Sequence, residues 1–114
     1  LEAKPINQCC TWSDRRGSKM KLRHLESALS CLTREFPSPK VELEQYPTSA
    51  HLSACVIQLA TENGDLGSDM SCLDLGCGTG MLSIAAAFVS GVVFAVDCDS
   101  DALEVAQENA AEVA

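Results

Sequence analysis

The segment that most restricts the possible folds is a glycine-rich stretch between a short apolar run and a run that suits a helix. It reads Asp-Leu-Gly-Cys-Gly-Thr-Gly-Met over residues 74–81. Glycine lets the backbone turn sharply without a Cβ clash and lets a ligand lie close to the main chain. The N–H groups of such a loop and of the following helix start present a partial positive charge. The segment therefore predicts a ligand-binding turn between a strand and a helix.

The pattern around this loop alternates between strand and helix. Residues 71–75 predict a short buried strand and residues 81–89 a helix, whereas the β-branched and aromatic residues 92–96 predict a fully buried strand. Ser100 or Asp101 can cap a final helix. This order predicts a right-handed β-α-β unit of a parallel sheet, and so an α/β fold. Because two such strands do not make a stable sheet alone, we expect an incomplete domain.

Two helices are predicted before the sheet. Leucines recur at helical spacing over residues 22–32 and stop before a proline-rich turn. A second helix is predicted over about residues 51–61, which Thr48 or Ser49 can cap. We expect Leu52, Val56 and Leu59 to lie on its buried side.

The pattern divides the chain into three parts. Residues 1–19 show no period and are expected to be a disordered extension. Residues 20–70 are predicted to form an N-terminal helical segment with a Gln-Tyr-Pro-Thr loop, and residues 71–114 the first β-α-β-α of the domain. Because Met20 opens the periodic part and the last helical pattern is still running at the final residue, we expect an added extension at one end and a truncated domain at the other.

The distribution of charge is more informative than the net charge of −8. All eight Lys and Arg residues fall in residues 1–40, together with four acidic residues. Residues 41–114 hold twelve acidic residues and no Lys or Arg. This excludes a uniformly basic nucleic-acid binder, but it leaves open a basic arm that contacts phosphate.

The cysteines and the apolar runs exclude other classes of protein. The seven cysteines are odd in number and none pairs at C-x-x-C spacing, which argues against a zinc finger or a disulfide framework. The longest weakly polar stretch, residues 81–96, is shorter than the roughly 20 residues that a membrane-spanning helix needs. The N-terminus has no signal-peptide core. We therefore expect a nuclear or cytoplasmic protein with no membrane partner.

The residues of the glycine loop discriminate between ligands. A dinucleotide fingerprint that starts at Gly76 would need a glycine where Met81 stands. A phosphate loop would need a lysine, which residues 41–114 lack. Asp74 would repel a pyrophosphate and suits a ligand with a cationic centre. S-Adenosylmethionine carries an ammonium and a sulfonium group and no phosphate, so it fits these residues.

A second acidic position supports an adenosine ligand. Asp97 follows the second predicted strand, at about the spacing from the loop at which an acidic residue accepts both ribose hydroxyls. Asp99 is a rival for this role. We prefer Asp97, because it directly follows the apolar run and so sits at the carboxyl end of the strand.

These residues resemble the class I S-adenosylmethionine-dependent methyltransferases, in which residues 74–80 look like the first motif and Val96-Asp97 like the second. From Met20 onward the chain is similar to the methyltransferase-like protein 5 family, most specifically in Glu-Gln-Tyr-Pro-Thr at residues 44–48. That family makes N6-methyladenosine in small-subunit ribosomal RNA. The resemblance implies the N-terminal half of a Rossmann-like class I methyltransferase fold, S-adenosyl-L-methionine as the cofactor and ribosomal RNA as the substrate.

The resemblance also implies which residues bind the cofactor. Gln45 and Thr48 would contact it, and Asp97 would hold its ribose. The methionine and sulfonium side would be lined by the first loop glycine and by positions 79 and 81, although relatives can carry cysteine and a smaller apolar residue there. The expected cofactor-binding residues are Gln45, Thr48, Asp74, Gly76, Gly78, Thr79, Gly80, Met81 and Asp97. No catalytic residue and no metal ligand is expected.

The catalytic motif of that family is absent from this sequence. Asn-Pro-Pro-Phe follows the family's fourth strand, and it does not occur in residues 1–114. We therefore expect this chain alone to be inactive. The resemblance further implies that the full enzyme binds RNA and a small zinc-binding activator subunit. Two alternatives stay open: a methyltransferase of protein or other amino groups, and a non-catalytic truncated binding module.

Overall fold

The computed structural model describes residues 2–5 and 21–113 of the chain, which form an α/β fold. None of the described helices has the length and apolar character that crossing a membrane would require. A short 3-10 helix over Val41–Leu43 lies between the first two α-helices. In chain order the other elements are β1 (Glu2–Pro5), α1 (Leu22–Ser30), α2 (Ala50–Glu62), β2 (Ser71–Leu75), α3 (Met81–Ala87), β3 (Val92–Asp97) and α4 (Ser100–Val113).

The sheet has the strand order β1-β3-β2. Strands β2 and β3 are parallel, with Ser71 opposite Val92 and Leu75 opposite Val96. This confirms the predicted parallel β-α-β arrangement. Because parallel strands end at the same edge of a sheet, the glycine loop after β2 and the acidic turn after β3 are brought side by side.

Strand β1 corrects the prediction for part of the N-terminal extension. Residues 2–5 are not irregular, because they pair antiparallel with β3, with Glu2 opposite Asp97 and Pro5 opposite Phe94. The edge of β3 presents backbone N–H and C=O groups that an extended segment can pair with whatever its side chains are. Side-chain periodicity therefore does not reveal this strand. The rest of the predicted extension, residues 1 and 6–19, lies outside the described residues.

The core lies between the helices and one face of the sheet. Leu25 and Leu29 of α1 are buried, as the leucine spacing predicted. They belong to one cluster with Ile57 of α2, Ile84 of α3 and Val93 of β3. The helices thus cover the side of the sheet that carries Val93.

The opposite face of the sheet is exposed in the described structure. Leu73, Leu75 and Phe94 are 59%, 74% and 43% exposed. The prediction that β2 and β3 are buried on both faces is therefore wrong for this face. A β-branched, aromatic run shows that a strand suits burial on both sides, but it does not show that a covering layer is present.

Helix α2 turns a different face to the core from the one predicted. Leu52, Val56 and Leu59 are exposed, whereas Ser53 and Ala54 are buried together with Ile57. The buried face is displaced by about one residue, which is roughly 100° around the helix. Small side chains allow α2 to lie close to its neighbours, so the packing prefers Ser53 and Ala54 over the bulkier leucines. Hydrophobicity alone gave the wrong face for this reason.

Candidate functional site

A cavity of about 300 Å³ lies at the carboxyl ends of β2 and β3. Its walls are the glycine loop, the turn after β3 and the chain between α1 and α2. Eight of the nine residues predicted from the sequence line it; they are Gln45, Thr48, Asp74, Gly76, Gly78, Thr79, Met81 and Asp97. The ninth, Gly80, does not. The structure therefore brings residues from three separate parts of the chain to one cavity.

The glycine loop is held in a left-handed backbone conformation at three positions. Gly76, Gly78 and Gly80 have φ angles of 83°, 55° and 88°. The backbone N–H groups of Gly76 and Cys77 both donate to Val96 O, at 2.7 and 3.0 Å, and so fasten the loop to β3. These hydrogen bonds set the loop beside the end of the neighbouring strand.

Two of these glycines also stand against other parts of the molecule. A Cβ added to Gly78 would lie 2.9 Å from Phe36 Cζ, so the Phe36 ring packs directly on the loop. A Cβ added to Gly80 would lie 3.1 Å from Ala106 Cβ. Gly80 therefore allows α4 to approach the start of α3, which explains why it is near the cavity without lining it.

Asp97 is fixed by two backbone hydrogen bonds. Its Oδ2 accepts from Gly78 N and its Oδ1 accepts from Asp99 N, both at 2.8 Å. A carboxylate oxygen can accept more than one hydrogen bond, so each oxygen keeps capacity for a further donor. The side chain is thus held still at the cavity wall and can still bind a hydroxyl.

The cavity wall is acidic. The described residues that line it include three carboxylates, Glu44, Asp74 and Asp97, and no Lys or Arg. Asp74 Oδ2 also accepts from Ser83 Oγ at 2.5 Å, which orients that carboxylate. Like charges repel more strongly near a protein surface than in bulk water. The wall therefore disfavours a phosphate group and favours a cation, although no three described His, Cys, Asp or Glu side chains are placed to hold a metal ion.

Cys77 lies inside the loop but is not a nucleophile. Burial raises the pKa of its thiol to about 12, and the negative charges of Asp74 and Asp97 act in the same direction. The thiolate is the reactive form of cysteine. Cys77 is therefore protonated at neutral pH and serves as a small buried side chain in a crowded turn.

Asp99, the rival of Asp97, faces a different set of partners. It is buried and is not among the residues that line the cavity. Its carboxylate accepts from Lys40 Nζ at 2.5 Å and from Gln45 Nε2 at 2.6 Å. These hydrogen bonds, that from Lys40 most of all, lower the pKa of Asp99. Of these two acids, Asp97 is therefore the one that lines the cavity.

Asp99 also corrects the prediction of the cap of α4. Its Oδ1 accepts from the backbone N–H of Asp101 at 3.2 Å, so the capping side chain belongs to neither Ser100 nor Asp101. A cap lies just before the helix and accepts from the second or third residue along it. Several residues of this acid-rich turn could cap the helix, and the conformation of the chain after β3 determines which of them does.

Asn109 is a site-supporting residue that the sequence analysis missed. It is buried on α4, where its Oδ1 accepts from Thr33 N at 2.9 Å. Its Nδ2 donates to Thr33 O at 2.7 Å and to Thr79 O at 3.0 Å. Asn109 therefore ties the glycine loop to the chain that follows α1. The available signal was a polar residue at helical spacing from the buried Leu103 and Ala106.

The comparisons with known proteins agree on one class of enzyme. Residues 48–113 match the family model of ribosomal protein L11 methyltransferase (PrmA). The rRNA N(6)-adenosine-methyltransferase METTL5 of Danio rerio is 42% identical over 94 residues, which are 82% of this chain and 45% of that protein. The Drosophila melanogaster Mettl5 is 36% identical over 98 residues, which are 84% of this chain and 45% of that protein. The chain thus spans about half the length of these curated relatives.

A solved structure extends the similarity to the fold. A Pyrococcus horikoshii protein, provisionally assigned as an RNA methyltransferase, superposes with a TM-score of 0.73 at 36% sequence identity. The match covers 83% of this chain and 47% of that one.

Proposed function

Because the chain belongs to the ribosomal protein L11 methyltransferase (PrmA) family, we propose that its cavity binds S-adenosyl-L-methionine. We propose further that the chain forms the cofactor-binding part of a ribosomal RNA adenine-N6 methyltransferase. The observation that carries the proposal is an acidic cavity under a glycine loop, in which Asp97 is held still by two backbone hydrogen bonds.

The residues present fit this cofactor. Asp97 would accept the ribose hydroxyls, and Asp74 would lie on the side of the positive charges. Gly76, Gly78 and the residues at 79 and 81 would line the methionine and sulfonium side. Small-molecule sites enclose roughly 300 to 1,000 Å³, so the cavity is at the small end of that range. When bound, the cofactor supplies an electrophilic methyl group, and this chain's residues bind and orient it.

The choice of RNA as substrate rests on the relatives. Both curated relatives are named as rRNA N(6)-adenosine methyltransferases. Methylation of an adenine amino group needs acceptors for its hydrogens and a surface on which the extruded base stacks. The Asn-Pro-Pro-Phe motif that does this in the resembling family does not occur in the sequence. We therefore expect this chain alone to bind the cofactor without transferring its methyl group. We expect the protein to be located in the nucleus or the cytoplasm.

A second candidate is methylation of a protein. The matching family model is described as a ribosomal protein L11 methyltransferase, and the match includes the glycine loop and Asp97. Both candidates use the same cofactor site, so binding of S-adenosylmethionine does not separate them. Fluorescence anisotropy with a small-subunit ribosomal RNA oligonucleotide and with a labelled ribosomal protein would do so. Binding of the RNA is expected, and preferential binding of the protein would favour the second candidate. The proposal that the full enzyme pairs with a small zinc-binding activator subunit rests on the family resemblance alone.

Calorimetric titration with S-adenosylhomocysteine tests the cofactor proposal. We expect binding by the wild type and a loss of roughly tenfold to a hundredfold in Asp97→Asn, since hydrogen bonds to a charged group contribute about 1.5–3 kcal/mol. Asp69→Asn is the matched control, because it removes the same charge from an exposed loop outside the cavity. ATP serves as the phosphate-bearing comparison. Tighter binding of ATP, or equal affinity of Asp97→Asn and wild type, would contradict the proposal.

A further inference from the structure

One wall of the cavity has almost no apolar contacts to hold it. The segment from Lys40 to Thr48 contributes five lining residues, from Leu43 onward. No residue from 41 to 47 is buried, and Val41 and Tyr46 are 89% and 81% exposed. A segment with few buried apolar contacts opens locally at little cost in free energy. Polar contacts must therefore fix the position of this wall.

The polar contacts of the segment converge on a single carboxylate. Lys40 Nζ and Gln45 Nε2 contact the two different oxygens of Asp99, at 2.5 and 2.6 Å. The backbone N–H of Lys40 also donates to Gln45 Oε1 at 2.9 Å, which closes the segment into a loop. Lys40, at the start of the segment, and Gln45, in its middle, are thus tied to one buried side chain.

Asp99 is itself joined to the opposite wall. Its backbone N–H donates to Asp97 Oδ1, so the acid that would bind the ribose and the acid that holds the segment share one turn. Lys40 also contacts Asp101 Oδ2 at 3.2 Å. In the described part of the chain, Lys40 is thus the cation paired with two acids of this turn, Asp99 and Asp101.

From this geometry we propose that Asp99 is a positioning residue, which acts through Lys40 and Gln45 to hold the segment of residues 40–48 as a wall of the cofactor cavity. The inference rests on the proposed function, since it assumes that the cavity binds S-adenosylmethionine. Asp99 does not need to contact the ligand for this role. Asp99 instead increases the fraction of molecules in which the cavity is formed.

The expected size of the effect follows from that fraction. When only part of a population is competent to bind, the apparent dissociation constant rises in inverse proportion to the competent fraction. If loss of the ion pair leaves about one molecule in ten with the wall in place, binding weakens about tenfold. Loss of this ion pair leaves the contacts between the formed cavity and its ligand unchanged, whereas Asp97→Asn alters one of those contacts.

The test compares Lys40 variants by titration with S-adenosylhomocysteine. Lys40→Met removes the charge and keeps most of the side chain, whereas a change at Asp99 would also remove the cap of α4. We expect about tenfold weaker binding by Lys40→Met and near-wild-type binding by Lys40→Arg, which restores the charge. Lys21→Met is the matched control, because Lys21 is exposed and lies outside the cavity.

Hydrogen exchange without ligand provides the second measurement. The N–H groups of Leu43 and Glu44 donate within the segment, to Lys40 O and Val41 O at 3.1 Å. We expect their exchange to accelerate in Lys40→Met, while exchange in β3 stays as in the wild type. A merely general loss of stability would accelerate both.

The outcomes separate the inference from the function beneath it. Absence of S-adenosylhomocysteine binding by the wild type would overturn the proposed function and the inference with it. Binding by the wild type, with equal affinity or unchanged exchange in Lys40→Met, would overturn the inference alone. Weaker binding together with faster exchange confined to the segment, and rescue by Lys40→Arg, would establish it.

Discussion

At the scale of single residues, two glycines of this chain have different structural roles. Gly78 and Gly64 both have a positive φ, of 55° and 81°. Around Gly64 an added Cβ would meet nothing within 4 Å, whereas at Gly78 it would strike the Phe36 ring. Gly64 is thus required only by the backbone conformation, whereas Gly78 is also required by the close packing of Phe36 at the cavity.

This difference predicts the result of two matched alanine substitutions. Gly64→Ala and Gly78→Ala should each cost about 1–2 kcal/mol of unfolding free energy, because both place a Cβ in the left-handed region. Only Gly78→Ala should also weaken binding of S-adenosylhomocysteine, by more than about tenfold, since Phe36 must move. Urea unfolding and calorimetry measure the two effects.

The double variant Gly78→Ala with Phe36→Leu tests the stated cause. Leucine removes the ring atoms that an alanine Cβ would meet, so part of the lost affinity should return. A double variant that binds no better than Gly78→Ala would show that backbone strain, and not the contact with Phe36, weakens binding.

At the scale of elements, the sequence predicted what local patterns encode. The bounds of β2 agree with prediction because its apolar run is short and directly followed by the glycine loop. The prediction of the buried face of α2 was wrong, because close packing of the helix favours small side chains over Leu52 and Leu59. The contacts of Asn109 with Thr33 and Thr79 join residues far apart in the chain, and no local pattern states such a pairing.

Asn109 gives a prediction about how α4 is held. Asn109→Ala would leave two backbone groups of Thr33 and one of Thr79 without their partner. Each such hydrogen bond contributes about 0.5–1.5 kcal/mol, so the free energy of unfolding should fall by about 2–3 kcal/mol. The matched control is Gln107→Ala, which is exposed on the same helix and should change stability by less than about 0.5 kcal/mol.

Urea unfolding of the two variants decides whether α4 is held by this side chain. Affinity for S-adenosylhomocysteine should also fall in Asn109→Ala, because Thr79 loses a contact that orients the glycine loop. Equal stability of the two alanine variants would mean that the hydrogen bonds of Asn109 are replaced by water at no cost.

At the scale of the whole molecule, two surface properties oppose each other. The chain carries a net charge of −8, which keeps copies apart. The uncovered face of the sheet carries Leu73, Leu75 and Phe94, which favour association. Salt shortens the screening length from about 10 Å at 0.1 M to about 3 Å at 1 M. Salt should therefore shift the balance toward self-association.

Sedimentation of the wild type and Leu73→Glu tests that balance. We expect self-association of the wild type to increase with salt, and that of Leu73→Glu to be about tenfold weaker, since the loss of one partly buried leucine contact corresponds to about 1.4 kcal/mol. Ser71→Glu is the matched control, because it adds the same charge to the same face of β2 without removing an apolar side chain. If both variants weaken association equally, charge alone controls it and the apolar face is not the contact. If only Leu73→Glu does so, the uncovered face of the sheet drives the association.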